Sequence, residues 1–85
     1  MAKRFRYYFR KGWHGVVLDR ANLWNWEQTQ GETLGNEAHF LALNQWCEQN
    51  FPPNVWTSRY RNWQGEKEFV FQEEKHANWF RLKWL

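Results

Sequence analysis

The chain has 85 residues, with twelve Lys and Arg against nine Asp and Glu for a net charge of +3, and eight Trp, seven Phe and three Tyr. That length holds one domain, 1–85, whose core must be built mainly from rings, since there are seven Leu, four Val and no Ile. The modest charge excludes a histone-like binder, the single Cys47 excludes an internal disulfide, and no apolar run reaches membrane-spanning length.

The first residues, MAKRFRYYF, lack the apolar stretch and cleavage site of a signal peptide, and the single cysteine makes a reducing cytoplasm the expected setting. Residues 3–10 alternate strictly. Phe5, Tyr7 and Phe9 point one way, Arg4, Arg6, Tyr8 and Arg10 the other, which predicts a half-buried strand. Gly12 and Gly15 end it, leaving Trp13 and His14 as an exposed tip suited to docking or as a turn tucked over the sheet edge. Residues 12–35 form an irregular insert in this reading. It is either a short strand at Val16–Leu18 followed by a helical turn capped by Asp19, or a long loop pinned by Trp24 and Trp26. Two Trp at i and i+2 cannot share a helical face, so on a helix one of them is left to a partner.

Residues 36–50 predict a helix capped by Asn36, with Phe40, Leu43 and Cys47 on one stripe and Leu41 and Trp46 widening it. Asn50 and Pro52-Pro53 end it. Residues 55–63 and 66–72 read as a hairpin around Gln64-Gly65. A two-residue loop sets Tyr60 opposite Phe69 and Ser58 opposite Phe71 inside, with Arg61 opposite Glu68 and Arg59 opposite Val70 outside. Residues 73–82 follow as a helix, or as a helix and a closing strand in FRLKWL. Together these elements predict an α+β fold, a ferredoxin-like two-layer sandwich with two helices on one face of an antiparallel sheet and the other face open.

The order of glycine turn, F-V-F strand and acid-led helix in QGEKEFVFQEEKHANWF, residues 64–80, resembles the third strand and second helix of RNA-recognition domains. Phe71 and Ala77 keep that family's separation, but the base-stacking positions are Glu66 and Glu68, which repel phosphate and offer no ring. The resemblance therefore implies sheet building and not base stacking. On the open face, Arg4, Arg6, Tyr8 and Arg10 should neighbour the two glutamates, with Arg59, Arg61 and Trp63 flanking them. A solvated ladder of ion pairs is one reading of this composition. The other is a binding surface, because five arginines outnumber two glutamates and lie among aromatics.

His14, His39 and His76 have no ligand-like spacing with one another or with Cys47, and no phosphate loop or nucleophile elbow occurs. No metal, no cofactor and no catalytic residue are expected. The closing pattern F-x-F-x-x-x-x-x-A-x-x-F-x-L-x-W, Phe69 to Trp84, resembles the ends of small uncharacterised tailed-phage proteins. That resemblance implies a viral origin and a protein that redirects host machinery in the host cytoplasm. The expectation is a non-enzymatic protein that binds a partner protein through Arg and aromatic side chains. Nucleic acid is the alternative partner and self-association a third reading.

Overall fold

The computed structural model describes residues 5–61 and 65–84. The alternating run forms β1 (Phe5–Arg10), and the chain turns directly into β2 (Trp13–Leu18). Lys11 (φ 52°) and Gly12 (φ 83°) both take the left-handed region, the geometry whose twist suits a two-residue hairpin. Trp13 and His14, expected at an exposed tip, are instead half-buried residues of β2 opposite Arg10 and Phe9. Val16, Val17 and Leu18 are all buried, so this strand lacks the alternation by which β1 is recognised.

Asp19 caps α1 (Arg20–Gln30) by accepting hydrogen bonds from the Ala21 and Asn22 N–H groups at 3.0 and 3.3 Å. Of the two readings of the irregular 12–35 insert, the structure takes the strand and Asp19-capped helical turn and extends them to a strand of six residues and a helix of 11. The Glu27 carboxylate accepts from the N–H groups of Leu34 (2.7 Å) and Gly35 (2.6 Å), which ties down the turn into α2 (Asn36–Asn50). Gly35, at φ 92°, takes the cap position expected for Asn36. The buried stripe of α2 is His39, Leu43 and Cys47, with Phe40 and Trp46 packed beside it. Leu41 points to solvent, where a core residue was expected.

In the second hairpin, β3 (Trp56–Tyr60) and β4 (Lys67–Phe71) set Ser58 opposite Phe69, Arg59 opposite Glu68 and Tyr60 opposite Lys67. The expected register lies two residues away. Side-chain direction repeats every two residues, so the slip leaves each inward residue inward. The observed register brings Arg59 Nε within 2.7 Å of Glu68 Oε1, and a longer loop closes where the Arg61 N–H bonds the Glu66 carbonyl at 2.8 Å. The α3 helix (Glu74–Trp84) buries Ala77 and Phe80 and carries FRLKW as helix throughout, not as a closing strand.

The protein is α+β, with one four-stranded antiparallel sheet in the order β1-β2-β4-β3 and three helices. This differs from the expected two-helix arrangement because the 12–35 segment supplies both the strand between β1 and β4 and the extra helix. Val16, Leu18, Phe69 and Phe71 from the sheet meet Leu43, Cys47, Ala77 and Phe80 from the helices in the core. The Phe69 and Phe80 rings stack at 4.9 Å. Among the described residues no helix covers the opposite face of the sheet, which carries Arg6, Tyr8, Arg10, Arg59 and Glu68.

Candidate functional site

The uncovered face is organised around Gly15. A Cβ at this position would lie 2.1 Å from the Tyr8 ring, so only glycine lets that ring lie flat across β2. Tyr8 thereby reaches over one strand and donates its hydroxyl proton to Glu68 Oε2 on β4. Arg59 bonds the other carboxylate oxygen from β3, so three strands meet at one carboxylate. Arg6 makes a longer contact to Glu66, 3.3 Å. Tyr8, Phe9, Arg10, Arg59, Arg61 and Glu68 line one shallow depression.

Burial would raise the Glu68 carboxyl, but hydrogen bonds from Tyr8 and Arg59 and the charges of Arg59 and Arg61 hold it below its usual range. Burial and the same hydrogen bond push the Tyr8 phenol up. The centre of the face is therefore a satisfied carboxylate. Its rim is not: Arg10 and Arg61 are exposed and have no ion-pair partner among the described residues. The expected ladder of ion pairs thus exists at Glu66 and Glu68, and two cations remain beyond it.

The structure brings Arg6, Tyr8, Arg10, Arg59 and Arg61 to one face, while Arg4 and Trp63 fall outside the described residues. Trp13 joins that face at the hairpin end. His14 points to the helix side, where its Nδ1 shares a 2.7 Å hydrogen bond with the Tyr7 hydroxyl and its ring lies 4.6 Å from Phe9. Trp24 and Trp26 lie on α1 and away from this site. Trp24 is 60% exposed, and Trp26 packs at 5.1 Å on the His39 ring. The Cys47 thiol is fully buried, and burial pushes its pKa up.

Sequence reasoning missed a polar group inside the core. Lys67 is completely buried on β4, with Nζ donating to Asn36 Oδ1 (2.7 Å) and the Gly65 carbonyl (3.0 Å). Burial brings its pKa down to about 8, against the smaller opposite effect of Glu27 and Asp19. His39, equally buried, bonds through Nε2 to Asn22 Oδ1 at 3.0 Å, and Asn22 Nδ2 donates to the Trp84 carbonyl at 2.7 Å. Burial first, and Lys67 second, hold His39 at about 3, so it is neutral near pH 7. The only available signal was period: Lys67 alternates with Phe69 and Phe71. No group of three or more His, Cys, Asp or Glu arranged to hold a metal ion occurs among the described residues, and no helix there is long and apolar enough to cross a membrane. No protein-family model, curated protein or solved structure matches the chain.

Proposed function

We propose that this is a binding protein, not an enzyme, and that its uncovered sheet face docks an acidic surface of a partner protein. The supporting observation is the pair of guanidinium groups without an ion-pair partner among the described residues, Arg10 and Arg61, at the rim of a depression whose centre is already neutralised by the Tyr8–Glu68–Arg59 contacts. A partner carboxylate meeting Arg10 or Arg61 breaks no internal ion pair. Arginine held beside aromatic rings suits planar carboxylates and gives up little conformational freedom on binding. A host protein in the cytoplasm is the target that fits the phage-like C-terminal pattern. The ferredoxin-like class is not needed for this reading, which requires only an open face.

The test is affinity capture from bacterial lysate with and without nuclease, using wild type and the double variant Arg10→Glu/Arg61→Glu. A discrete protein retained after nuclease and lost by the double variant supports the reading. A partner held equally by both proteins overturns it. Recovery that depends on intact nucleic acid and falls steeply with salt would assign the same arginines to phosphates instead.

A further inference from the structure

The two edges of the sheet are finished differently. On the helix side of β3, Phe40 packs edge-on to Tyr60 at 5.6 Å and Ser58 donates to Asn44 Oδ1 at 2.5 Å. On the helix side of β1, Tyr7 is no more exposed than Tyr60 of β3, 38% each, and the difference lies in Phe9, which is 63% exposed. The Arg81 guanidinium of α3 lies 4.5 Å over the Tyr7 ring, and His14 of β2 lies 4.6 Å from Phe9. The strand continues beyond the helical layer that should bury it.

The free backbone groups of β1 fall on these same residues. Hydrogen bonds from the Arg61 N–H to the Glu66 carbonyl and from the Gln72 N–H to the Val55 carbonyl set the phase of the β3–β4 ladder. Carried across β4 and β2 through the observed registers, the alternation turns the N–H and C=O of Arg6, Tyr8 and Arg10 toward β2. It leaves those of Tyr7 and Phe9 pointing off the sheet. Among the described residues, an unpaired edge and partly exposed rings therefore coincide.

Charge identifies what fits there. Arg6 and Arg10 project from the other face of β1, Lys11 follows in the turn, and the described part of the strand carries no acid. A second copy pairing through β1 and centred on Tyr8 would set Arg6 against Arg10 at both ends, and the other edge, β3, carries Arg59. Such basic edges discourage self-pairing and select an anionic strand. We propose that β1 accepts an extended acidic segment of a partner protein as a fifth strand. Its acidic side chains would lie over Arg6 and Arg10, and its alternating apolar side chains over Tyr7, Phe9 and His14. This rests on the acidic-partner reading above and adds the mode of docking.

The experiment uses a fluorescent peptide of about seven residues, a typical strand length, alternating Glu and Val. In an antiparallel fifth strand the residues that bond Tyr7 and Phe9 share their face, so the Val N–H groups point at β1 and the Glu N–H groups point away. N-methylation of the Val residues should weaken binding about tenfold, the loss expected for two net hydrogen bonds, while N-methylation of the Glu residues should leave it unchanged. Arg10→Glu should weaken binding of the parent peptide, and Arg61→Glu, on the same face but beyond the opposite edge strand β3, should weaken it less. Equal affinity of the two methylated peptides overturns strand addition. If whole-partner capture is still lost in the Arg10→Glu/Arg61→Glu protein, the acidic-face reading survives that failure. A concentration-dependent dimer that the peptide dissociates would assign the edge to a second copy and overturn the proposal as well.

Discussion

Lys67 and Glu68 are consecutive residues of one strand, both buried, and their surroundings treat charge in opposite ways. Lys67 points into the core, where its hydrogen-bond partners are a neutral amide and a carbonyl, and desolvation dominates. Glu68 points to the open face, where a phenol and a guanidinium bond its oxygens, and its charged form is favoured despite burial. Burial alone therefore does not set the protonation state. What matters is whether the groups that replace water carry the compensating charge. The inner face tolerates its ion at a cost, whereas the outer face is organised around its own.

The largest effect should come from the inner side. Lys67→Ala should lose about 3 kcal/mol in denaturant unfolding, through a cavity and the two acceptors left behind in the core. Lys67→Met, similar in volume and free of charge, should lie within about 1 kcal/mol of wild type near pH 7. The folded pKa of Lys67, about 8, lies below its unfolded value, so between these the unfolded chain binds more protons. Wild-type stability should thus improve relative to Lys67→Met as pH rises above 8, with a constant difference below it. A difference that shrinks in the reverse sense would break the contrast with Glu68.

His39 extends the same logic to acid. Its folded pKa, about 3, is below the ordinary imidazole value, so protonation of the unfolded chain costs stability as pH falls through 6.5 toward 3. By about pH 4 the loss should reach about 3 kcal/mol. His39→Gln, which keeps a donor for Asn22, should lose less over that interval in paired urea titrations at pH 7 and 4.

On the outer side, Gly15→Ala should cost about 1–2 kcal/mol by displacing the Tyr8 ring from Glu68. In a Tyr8→Ala background the same change should cost under about 0.5 kcal/mol, and thermal melts of the four proteins measure the coupling. Smaller still, Arg59→Ala should cost about 1 kcal/mol or less, since the side chain is 70% exposed and its ion pair is screened by solvent. Arg10→Glu, with no ion-pair partner among the described residues, should change stability by less than about 0.5 kcal/mol, and Arg61→Glu by somewhat more, since the Arg61 charge favours the Glu68 carboxylate.

Much of this architecture can be read where the period is unambiguous. Arg6, Tyr8 and Arg10 share a face because FRYYFR alternates, and Ala77 and Phe80 share one because they lie three residues apart on a helix. β2 was harder to recognise. Val16, Val17 and Leu18 are covered on both sides, the first and last by the helices and Val17 by its open-face neighbours, and a continuous apolar run carries no period. Asn36 resembled a cap, yet its side chain serves Lys67, which lies 31 residues further on. At the candidate site, the arginines were legible by alternation, but not that Arg59 would be paired and Arg61 left over. That outcome turns on a register slip of two, to which face assignment is blind.

The sequence by itself determined which side chains face together within each strand and helix, because that follows from backbone periods of 2 and 3.6 residues. It also determined the basic, ring-rich character of the open face. Only the tertiary structure decided that β2 lies between β1 and β4, that Tyr8 crosses Gly15 to reach Glu68, and that Lys67 has neutral hydrogen-bond partners. These depend on which strands become neighbours. Contacts between residues about 60 positions apart, such as Tyr8 and Glu68, leave no local trace in the chain.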